Sequence, residues 1–371
     1  MIDPHAHLRD YNQGHKETLK HGLGIAFKAG LDGVFEMPNT DPPITSKEKI
    51  KERIALADKA ISGLGIKIFH GVYAGITIDY EQIKEVVDCH KELFPRVIGL
   101  KMFAGHSVGN MGIVNEEEQK EVYRILAEFD YRGVLAVHCE KESLMRPDLW
   151  KPEYPFSHAL ARPPEAEVES VRDQIRFAKE AGFKGTLHIV HISVPEALEL
   201  IKNQRIEDKK IIIDRINNKV YYKGSGSEKT NDGLKITCGA TPHHLILNSD
   251  MMNEKRGILL RMNPPLRPSQ MQEQLLRSLL NGEIDWIETD HAPHTLQEKN
   301  ETQMPGIPGL PYYPHFIRKL NELGASQELV DNITHDNIVK AFNIKVENRK
   351  RAPDYNLEKE YEFDAFEEVK E

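Results

Sequence analysis

The chain has 371 residues, 39% hydrophobic and 29% charged, which is typical of a globular protein with a substantial core. Its formal net charge of −9 argues against nucleic acid or an anionic membrane as the main partner. Three widely spaced cysteines argue against a disulfide framework, and the sequence has neither an apolar run of membrane-spanning length nor a signal-peptide pattern. We therefore expect a cytoplasmic protein.

Short β-branched runs alternate with longer amphipathic stretches along most of the chain, which is the pattern of repeated βα units. The runs predict eight strands: Met1–His5, Gly33–Met37, Ile66–Tyr73, Ile98–Met102, Val134–His138, Thr186–His191, Leu234–Ala240 and Trp286–Thr289. The stretches between them predict helices: Glu17–Ala29, Lys47–Ser62, Tyr80–Leu93, Glu116–Phe129, Ala166–Ala181, Pro195–Asn203 and Ser269–Leu280. This order indicates an α/β fold, the (β/α)8 TIM barrel.

Two segments depart from the alternating pattern. Residues 204–233 contain the runs Ile211–Asp214 and Val220–Tyr222 and a Gly-Ser stretch, which predicts a hairpin or a flexible insert before the seventh strand. After Asn343 the pattern gives way to a charged tail. We therefore expect one barrel domain over residues 1–344 and a C-terminal extension over 345–371 that wraps the surface.

Histidines and an aspartate follow the predicted strands at their carboxyl ends, where the active sites of such barrels form. His5 and His7 end the first strand with a spacing of two, which places both side chains on one face. His138, His191 and Asp290 end the fifth, sixth and eighth strands. Any one of these residues could be purely structural. Their coincidence at one mouth indicates a metal site, because imidazole and carboxylate suit zinc and related ions.

Lys101 lies on the fourth strand between apolar neighbours, where an unpaired ammonium is costly to bury. Burial lowers the pKa of a lysine and so makes the neutral amine available. A neutral amine can capture carbon dioxide as a carbamate, an anion able to bridge two metal ions. The simpler alternative is that Lys101 pairs with Asp290 or with a substrate carboxylate. Beside several histidines, we favour the carbamate.

Seven short motifs occur in order along the chain: Asp3–Asp10, Met37–Thr40, Gly99–Phe103, Arg162–Glu167, Thr241–Leu245, Asn263–Arg267 and Thr289–His294. Together they resemble the motifs of the dihydroorotases, cyclic amidohydrolases of the amidohydrolase superfamily. The resemblance extends from residue 1 to about residue 344. It does not extend to the β-sandwich that flanks the barrel in many relatives, so we expect this sandwich to be absent or reduced.

The resemblance implies a zinc enzyme that reversibly cyclises N-carbamoyl-L-aspartate to (S)-dihydroorotate in de novo pyrimidine (UMP) biosynthesis. It implies that a metal-bridging hydroxide is the nucleophile and that Asp290 is the general base and then the general acid. Two Zn2+ ions would be bridged by N6-carboxylysine at Lys101. The implied metal ligands are His5, His7, Lys101, His138, His191 and Asp290.

The resemblance also implies a substrate pocket. Arg9 and Asn39 would bind the substrate carboxylate, and His294 would complete that pocket. Asn263 would contact the pyrimidine ring, and the backbone at Pro308–Gly309 would close over it. The planar fork of Arg9 matches a carboxylate, which favours dihydroorotate over hydantoin or allantoin, because neither has a carboxylate to bind.

Two alternatives are a hydantoinase-type or allantoinase-type cyclic amidohydrolase and an inactive dihydroorotase-like scaffold for aspartate carbamoyltransferase. Arg9 argues against the first, and the complete set of metal ligands argues against the second. A homodimer and a complex with aspartate carbamoyltransferase are both left open.

Two further motifs have weaker interpretations. His243 and His244 follow the seventh strand, and we interpret them as positioning a loop, in preference to binding a third metal. Gly105, Gly109 and Gly112 predict a flexible loop after the fourth strand, for which a role as a lid is left open.

Overall fold

A computed structural model describes residues 1–106, 111–207, 211–214, 219–222, 234–253 and 256–369. The strands are β1 (Ile2–Ala6), β2 (Gly33–Glu36), β3 (Phe69–Gly75), β4 (Val97–Ala104), β5 (Val134–Cys139), β6 (Thr186–Ile189), β7 (Ile211–Asp214), β8 (Lys219–Tyr222), β9 (Lys235–Ala240) and β10 (Trp286–Ile287). Eight of them pair in parallel in the order β1-β2-β3-β4-β5-β6-β9-β10. The predicted α/β barrel is confirmed.

Helices connect these strands. They are α1 (Leu19–Lys28), α2 (Lys47–Leu64), α3 (Tyr80–Leu93), α4 (Glu116–Glu128), α5 (Ser157–Ala161), α6 (Pro164–Glu180), α7 (Pro195–Glu207), α8 (Pro242–Ile246), α9 (Ser269–Leu280), α10 (Leu296–Glu301), α11 (Tyr313–Glu322), α12 (Gln327–Asp331) and α13 (Asn337–Phe342). None of the described helices is long and apolar enough to cross a bilayer.

Side-chain caps explain where several helices begin. Ser46 accepts a hydrogen bond from the Lys49 backbone N–H at the start of α2, and Asp79 accepts one from Gln82 at the start of α3. Asn115 does the same for the first turn of α4. These caps satisfy amide groups that have no partner within the helix, so short polar residues mark the ends of the βα loops.

Contacts between the first and last strands bring the barrel close to closure. The His7 backbone N–H donates to the His291 carbonyl at 2.7 Å, and Ala6 pairs with His291 in an isolated parallel bridge. The buried Asp3 carboxylate accepts hydrogen bonds from the Thr289 backbone N–H and hydroxyl. These bonds fix the end of β1 beside the segment after β10, where the candidate ligands lie.

An aromatic cluster fills the barrel near the starts of the strands. The Phe342 ring on α13 contacts the rings of Phe35, Tyr73 and Trp286, with centroid separations of 5.0, 6.3 and 5.8 Å. All four side chains are buried. Burying such large apolar surfaces supplies much of the driving force for folding. The packed end leaves the opposite mouth for function.

The predicted insert and loop are described only in part. Strands β7 and β8 pair antiparallel, so the hairpin predicted within 204–233 is confirmed for these eight paired residues. Helix α7 extends four residues beyond its predicted end. Residues 208–210, 215–218 and 223–233 lie outside the described residues, as does Gly109 of the loop for which a lid role was left open.

The C-terminal segment packs against the barrel. The Phe366 ring stacks on the Tyr312 ring at 3.9 Å, and the Tyr361 hydroxyl donates to the Glu17 carboxylate at 2.6 Å. Arg351 forms an ion pair with Asp32. Further contacts come from the buried side chains Leu357, Phe363 and Ala365. The division into a domain over 1–344 and an extension stays a prediction.

Candidate metal centre

The six predicted metal ligands lie together at the carboxyl ends of the strands. They line one cavity, which Arg9, Asn39, Phe103, Asn263, Ala292, Pro305 and Gly306 also line. The ligand side chains come from β1, β4 and β5 and from the segments after β1, β6 and β10. The barrel therefore collects them from five distant parts of the chain.

His5, His7 and Asp290 form the first group. Asp290 Oδ1 lies 2.9 Å from His7 Nε2 and 3.3 Å from His5 Nε2. One ligand atom from each residue lies within 4.8 Å of those of the other two. Asp290 has a φ of 46°, in the left-handed region that aspartate tolerates better than most residues. This turn directs its carboxylate toward the two imidazoles. Three converging donors of this kind suit a metal ion.

His138 and His191 form the second group beside the first. His138 Nδ1 lies 3.1 Å from His191 Nε2, and the His191 ring centroid lies 5.3 Å from that of His5. His191 also has a positive φ, of 37°, directly after β6. Backbone strain of this kind concentrates at functional sites, where the surrounding structure holds it in place.

Outward-facing partners orient most of these imidazoles. Asn39 Oδ1 lies 2.6 Å from His7 Nδ1, and Glu140 Oε2 lies 2.9 Å from His138 Nε2. Arg162 forms an ion pair with Glu140 and so keeps that carboxylate charged, with its pKa well below the usual range. Metal-binding histidines typically donate their second N–H to such groups, so the donor set fits a metal.

Glu288 is a buried carboxylate beneath the first group. It accepts hydrogen bonds from His188 Nε2 at 3.0 Å and from the His191 backbone N–H, and its Oε1 lies 3.6 Å from His5 Nδ1. It was not singled out from the sequence. The sequence does contain a signal for it. Glu288 lies two residues from both Trp286 and Asp290, so its side chain is expected on the same face of the strand. A carboxylate that faces the barrel interior is costly to bury unless it has partners.

Lys101 is fully buried, and its Nζ has no hydrogen-bond partner among the described residues. It lies 4.8 Å from the centre of the Phe103 ring. Burial lowers the pKa of Lys101 to about 8, against the attraction of Glu288 and Asp290. The simpler expectation, a direct ion pair with Asp290, is not among the salt bridges of the described residues. A larger fraction of Lys101 is therefore neutral at pH 7 than of an exposed lysine.

Burial also keeps the imidazoles neutral. It lowers the pKa of His5 to about 4 and lowers those of His7, His138 and His191 below their ordinary value. Neutral imidazoles have a free lone pair for a metal. Burial alone would raise the pKa of Asp290, but the His7 hydrogen bond and the nearby imidazoles hold it well below its usual range. The site therefore presents neutral nitrogens and an ionised carboxylate at pH 7.

Arg9 follows the two histidines of the first strand and reaches the same cavity. Arg53 holds this stretch of chain by donating to the backbone oxygens of Leu8 and Arg9 and to the Glu36 carboxylate. His70 contacts Glu36 at 2.9 Å on its other side. Burial lowers the pKa of Arg9 to about 10, so the guanidinium stays charged at neutral pH.

His294 contacts Arg9 and is not among the residues that line the cavity. Its Nε2 accepts from an Arg9 N–H at 3.3 Å, while its Nδ1 faces Glu298 at 3.1 Å and the Lys16 ammonium at 3.4 Å. Its contact with the substrate therefore stays a prediction. The structure gives it a contact with Arg9.

The segment after β10 forms one wall of the cavity. Pro305 and Gly306 line it, whereas Pro308 and Gly309, named from the sequence, are not among the lining residues. Gly309 packs against Thr289, where a side chain would lie 2.7 Å from the Thr289 carbonyl oxygen. The closure of the Pro308–Gly309 backbone over the substrate therefore stays a prediction.

His244 positions a loop through hydrogen bonds at both of its ring nitrogens. Its Nδ1 lies 2.9 Å from the Thr241 hydroxyl, and its Nε2 lies 3.0 Å from the Pro264 carbonyl oxygen. These bonds tie α8 to the segment that carries Asn263. Neither ring nitrogen of the buried His243 has a hydrogen-bond partner among the described residues, so loop positioning by His243 stays a prediction.

Comparisons with curated proteins identify similar sequences. The chain is 30% identical over 311 residues to a dihydroorotase of Halobacterium salinarum, covering 81% of this chain and 60% of that protein. It is 31% identical over 307 residues to dihydroorotases of Macrococcus caseolyticus and Thermus aquaticus, covering 81% of this chain and 61% and 62% of those proteins. The chain thus spans about 60% of the length of these relatives. No protein-family model matches it.

Solved structures share the fold. An L-hydantoinase from Arthrobacter aurescens superposes with a TM-score of 0.75 at 22% identity, covering 92% of this chain and 70% of that one. A dihydroorotase from Campylobacter jejuni superposes with a TM-score of 0.65 at 18% identity, covering 93% and 84%. At these identities the likeness concerns the barrel architecture alone.

Replacement of Glu288 tests the layer beneath the ligands. We expect Glu288→Gln to weaken metal binding by about 10- to 100-fold with little change in fold, because an amide N–H would face N–H groups that the carboxylate now accepts from. Zinc titration with circular dichroism as a folding check measures this. Glu273→Gln, on the exposed face of α9, is the matched control. Unchanged affinity in a folded Glu288→Gln protein would contradict the role.

Proposed function

We propose that this chain, which belongs to the dihydroorotase family of the amidohydrolase superfamily, reversibly cyclises N-carbamoyl-L-aspartate to (S)-dihydroorotate, a step of pyrimidine biosynthesis. The observation that carries the proposal is one cavity that contains both the convergent metal ligands and the Arg9 guanidinium. The ligands suit amide chemistry, and the guanidinium suits the carboxylate of this substrate.

The donor set fits two metal ions, which we propose to be zinc. His5, His7 and Asp290 would hold one ion, and His138 and His191 the other. When bound, a pair of zinc ions lowers the pKa of water and polarises an amide carbonyl. Neutral imidazoles and an ionised aspartate are the forms in which these residues bind metal.

Lys101 is proposed to become N6-carboxylysine and to bridge the two ions. Its amine nitrogen forms a bond to the carbon of carbon dioxide and loses one proton, which converts a buried amine into a carbamate anion. The lowered pKa of Lys101 supports this step, because a larger share of the amine is neutral at pH 7. The negative charge of the carbamate would also compensate the positive charge of the two ions.

Asp290 is proposed as the proton carrier. In ring opening it takes a proton from the attacking water, the ring amide C–N bond breaks, and the proton passes to the leaving nitrogen. In ring closure the ureido nitrogen bonds to the side-chain carboxyl carbon and water leaves. The position of Asp290 among the ligands supports this role, since its oxygen faces the space that both groups share.

A hydantoinase-type reaction is the second candidate, favoured only by the fold shared with hydantoinases. Hydantoin lacks the carboxylate that the charged, buried Arg9 is placed to bind. We further propose a cytoplasmic location, consistent with three buried, free cysteines. A homodimer and a complex with aspartate carbamoyltransferase stay predictions from the sequence.

Arg9→Lys tests the substrate assignment. The charge is kept but the bidentate fork is lost, so we expect the KM for dihydroorotate to rise by about 10-fold or more with metal content unchanged. Any activity toward hydantoin should not fall with it. Steady-state kinetics on both compounds, with metal analysis, measures this. A normal KM for dihydroorotate in Arg9→Lys would contradict the carboxylate clamp.

The pH dependence of the two directions tests the role of Asp290. Ring closure takes up a proton because the free carboxyl is ionised, so closure should slow and opening should speed up as pH rises from about 5 to 9. Asp290→Asn cannot carry the proton, and we expect both rates to fall by ~10²-fold or more. Rates are measured in both directions on both proteins. A mutant with wild-type rate in either direction would show that another group carries the proton.

A further inference from the structure

Asn263 is a cavity-lining residue whose side chain is held from behind. Its Oδ1 lies 2.9 Å from Nε2 of His158, on α5. His158 is 2% exposed and does not itself line the cavity. A histidine outside the pocket thus contacts the amide of a residue inside it.

Arg261 determines which residue donates the hydrogen bond between His158 and Asn263. Its Nε–H donates to His158 Nδ1 at 3.4 Å. A guanidinium has only donors, so Nδ1 must present its lone pair, and a neutral imidazole then has its proton on Nε2. Burial lowers the pKa of His158 to about 3, which keeps the ring neutral at ordinary pH. His158 therefore donates from Nε2, to Asn263 Oδ1 and to the Met262 carbonyl oxygen at 3.0 Å.

The direction of this hydrogen bond fixes the orientation of the Asn263 carboxamide. Turning the amide over would bring its NH2 group against the Nε2–H of His158, two donors with no acceptor between them. The Asn263 oxygen thus accepts from His158 outside the cavity, and its NH2 group can donate to a molecule bound in the cavity. An asparagine free to turn could offer either a donor or an acceptor.

We propose that His158, set by Arg261, is a positioning residue that makes Asn263 a hydrogen-bond donor toward the substrate. The site then selects a ring with an acceptor oxygen at that point. Under the proposed function, on which this assignment rests, the group is the ureido carbonyl of dihydroorotate, which stays intact while the amide bond opens.

The supporting residues form a rigid unit. The Arg261 guanidinium lies 4.5 Å from the Trp150 ring centre and donates to the Gln303 carbonyl oxygen. The Trp150 ring meets the His158 ring edge to face at 5.3 Å. The Arg261 carbonyl oxygen accepts from the Gly306 backbone N–H at 2.9 Å. One arginine therefore fixes both the His158 tautomer and the wall at Gly306.

The buried Lys299 ammonium strengthens the same wall. Its Nζ donates to the carbonyl oxygens of Arg261, Met304 and Gly306 at 2.9 to 3.0 Å. Three carbonyl acceptors around one nitrogen match the three N–H groups of an ammonium, although burial and the nearby Arg261 charge lower the pKa of Lys299 well below its ordinary value. Asn263 is thus held against a backbone that has little room to move.

A mutant cycle tests the proposal. We expect His158→Phe, which keeps the ring but loses the donor, to raise the KM for dihydroorotate by about 5- to 10-fold with little change in kcat or zinc content, the worth of one hydrogen bond. His158→Gln can accept from Arg261 and donate to Asn263, so its KM should stay within about twofold of wild type. In an Asn263→Ala background, His158→Phe should change KM no further.

Equal losses in the Phe and Gln variants, or additive losses in the Asn263→Ala background, would show a merely structural role and overturn the proposal. A nitrogen-15 NMR spectrum of histidine-labelled protein separates this outcome from failure of the proposed function. The His158 signals, assigned by their loss in His158→Gln, should show a neutral ring protonated at Nε2. A ring protonated at Nδ1 would overturn the positioning role even in an active enzyme. A protein inactive on dihydroorotate with the expected tautomer would refute the proposed function alone.

Discussion

Desolvation of ionisable groups at the barrel mouth is the constraint on which the site depends. The same burial keeps the histidine ligands neutral and lowers the pKa of Lys101 to about 8. With no ion bound, this mouth destabilises the fold, because crowded imidazoles and an amine with no partner among the described residues are costly to bury. A pair of cations with a bridging anion would satisfy all of them together. Burial at the barrel mouth thus explains both the shifted pKa values and the suitability of these residues for binding metal ions.

A second layer makes this arrangement specific. Glu288, Glu140 and Asn39 face the outward nitrogens of the ligand histidines, and Arg53 holds the chain at Arg9. His158 does the equivalent for Asn263. Because these partners come from the segments that follow the strands, from α2 and from α5, the geometry of the pocket depends on the packing of the whole barrel.

Much of this could be predicted from the sequence, and the rest depends on tertiary contacts. The period of the apolar residues predicted eight strands and seven helices, and strand ends alone placed the six candidate ligands at one mouth. Helices such as α5 and α8, of five residues each, are too short for a periodic signal. The cavity wall at Gly306 was not predicted, because its course depends on tertiary hydrogen bonds such as the one from Lys299. The sequence assigned His294 to the substrate pocket, and the structure shows its contact with Arg9, which spacing along the chain could not predict; its contact with the substrate stays a prediction.

The most direct test of the central claim is the intact mass and zinc content of the native protein. We predict two zinc ions per chain and the added mass of one carbon dioxide, which acid denaturation should release together with the metal. Lys101→Ala should lack the added mass and bind less zinc, whereas Lys84→Ala, which removes a surface lysine paired with Asp88, should retain both. A native mass without carbon dioxide, together with full zinc content in Lys101→Ala, would contradict the account.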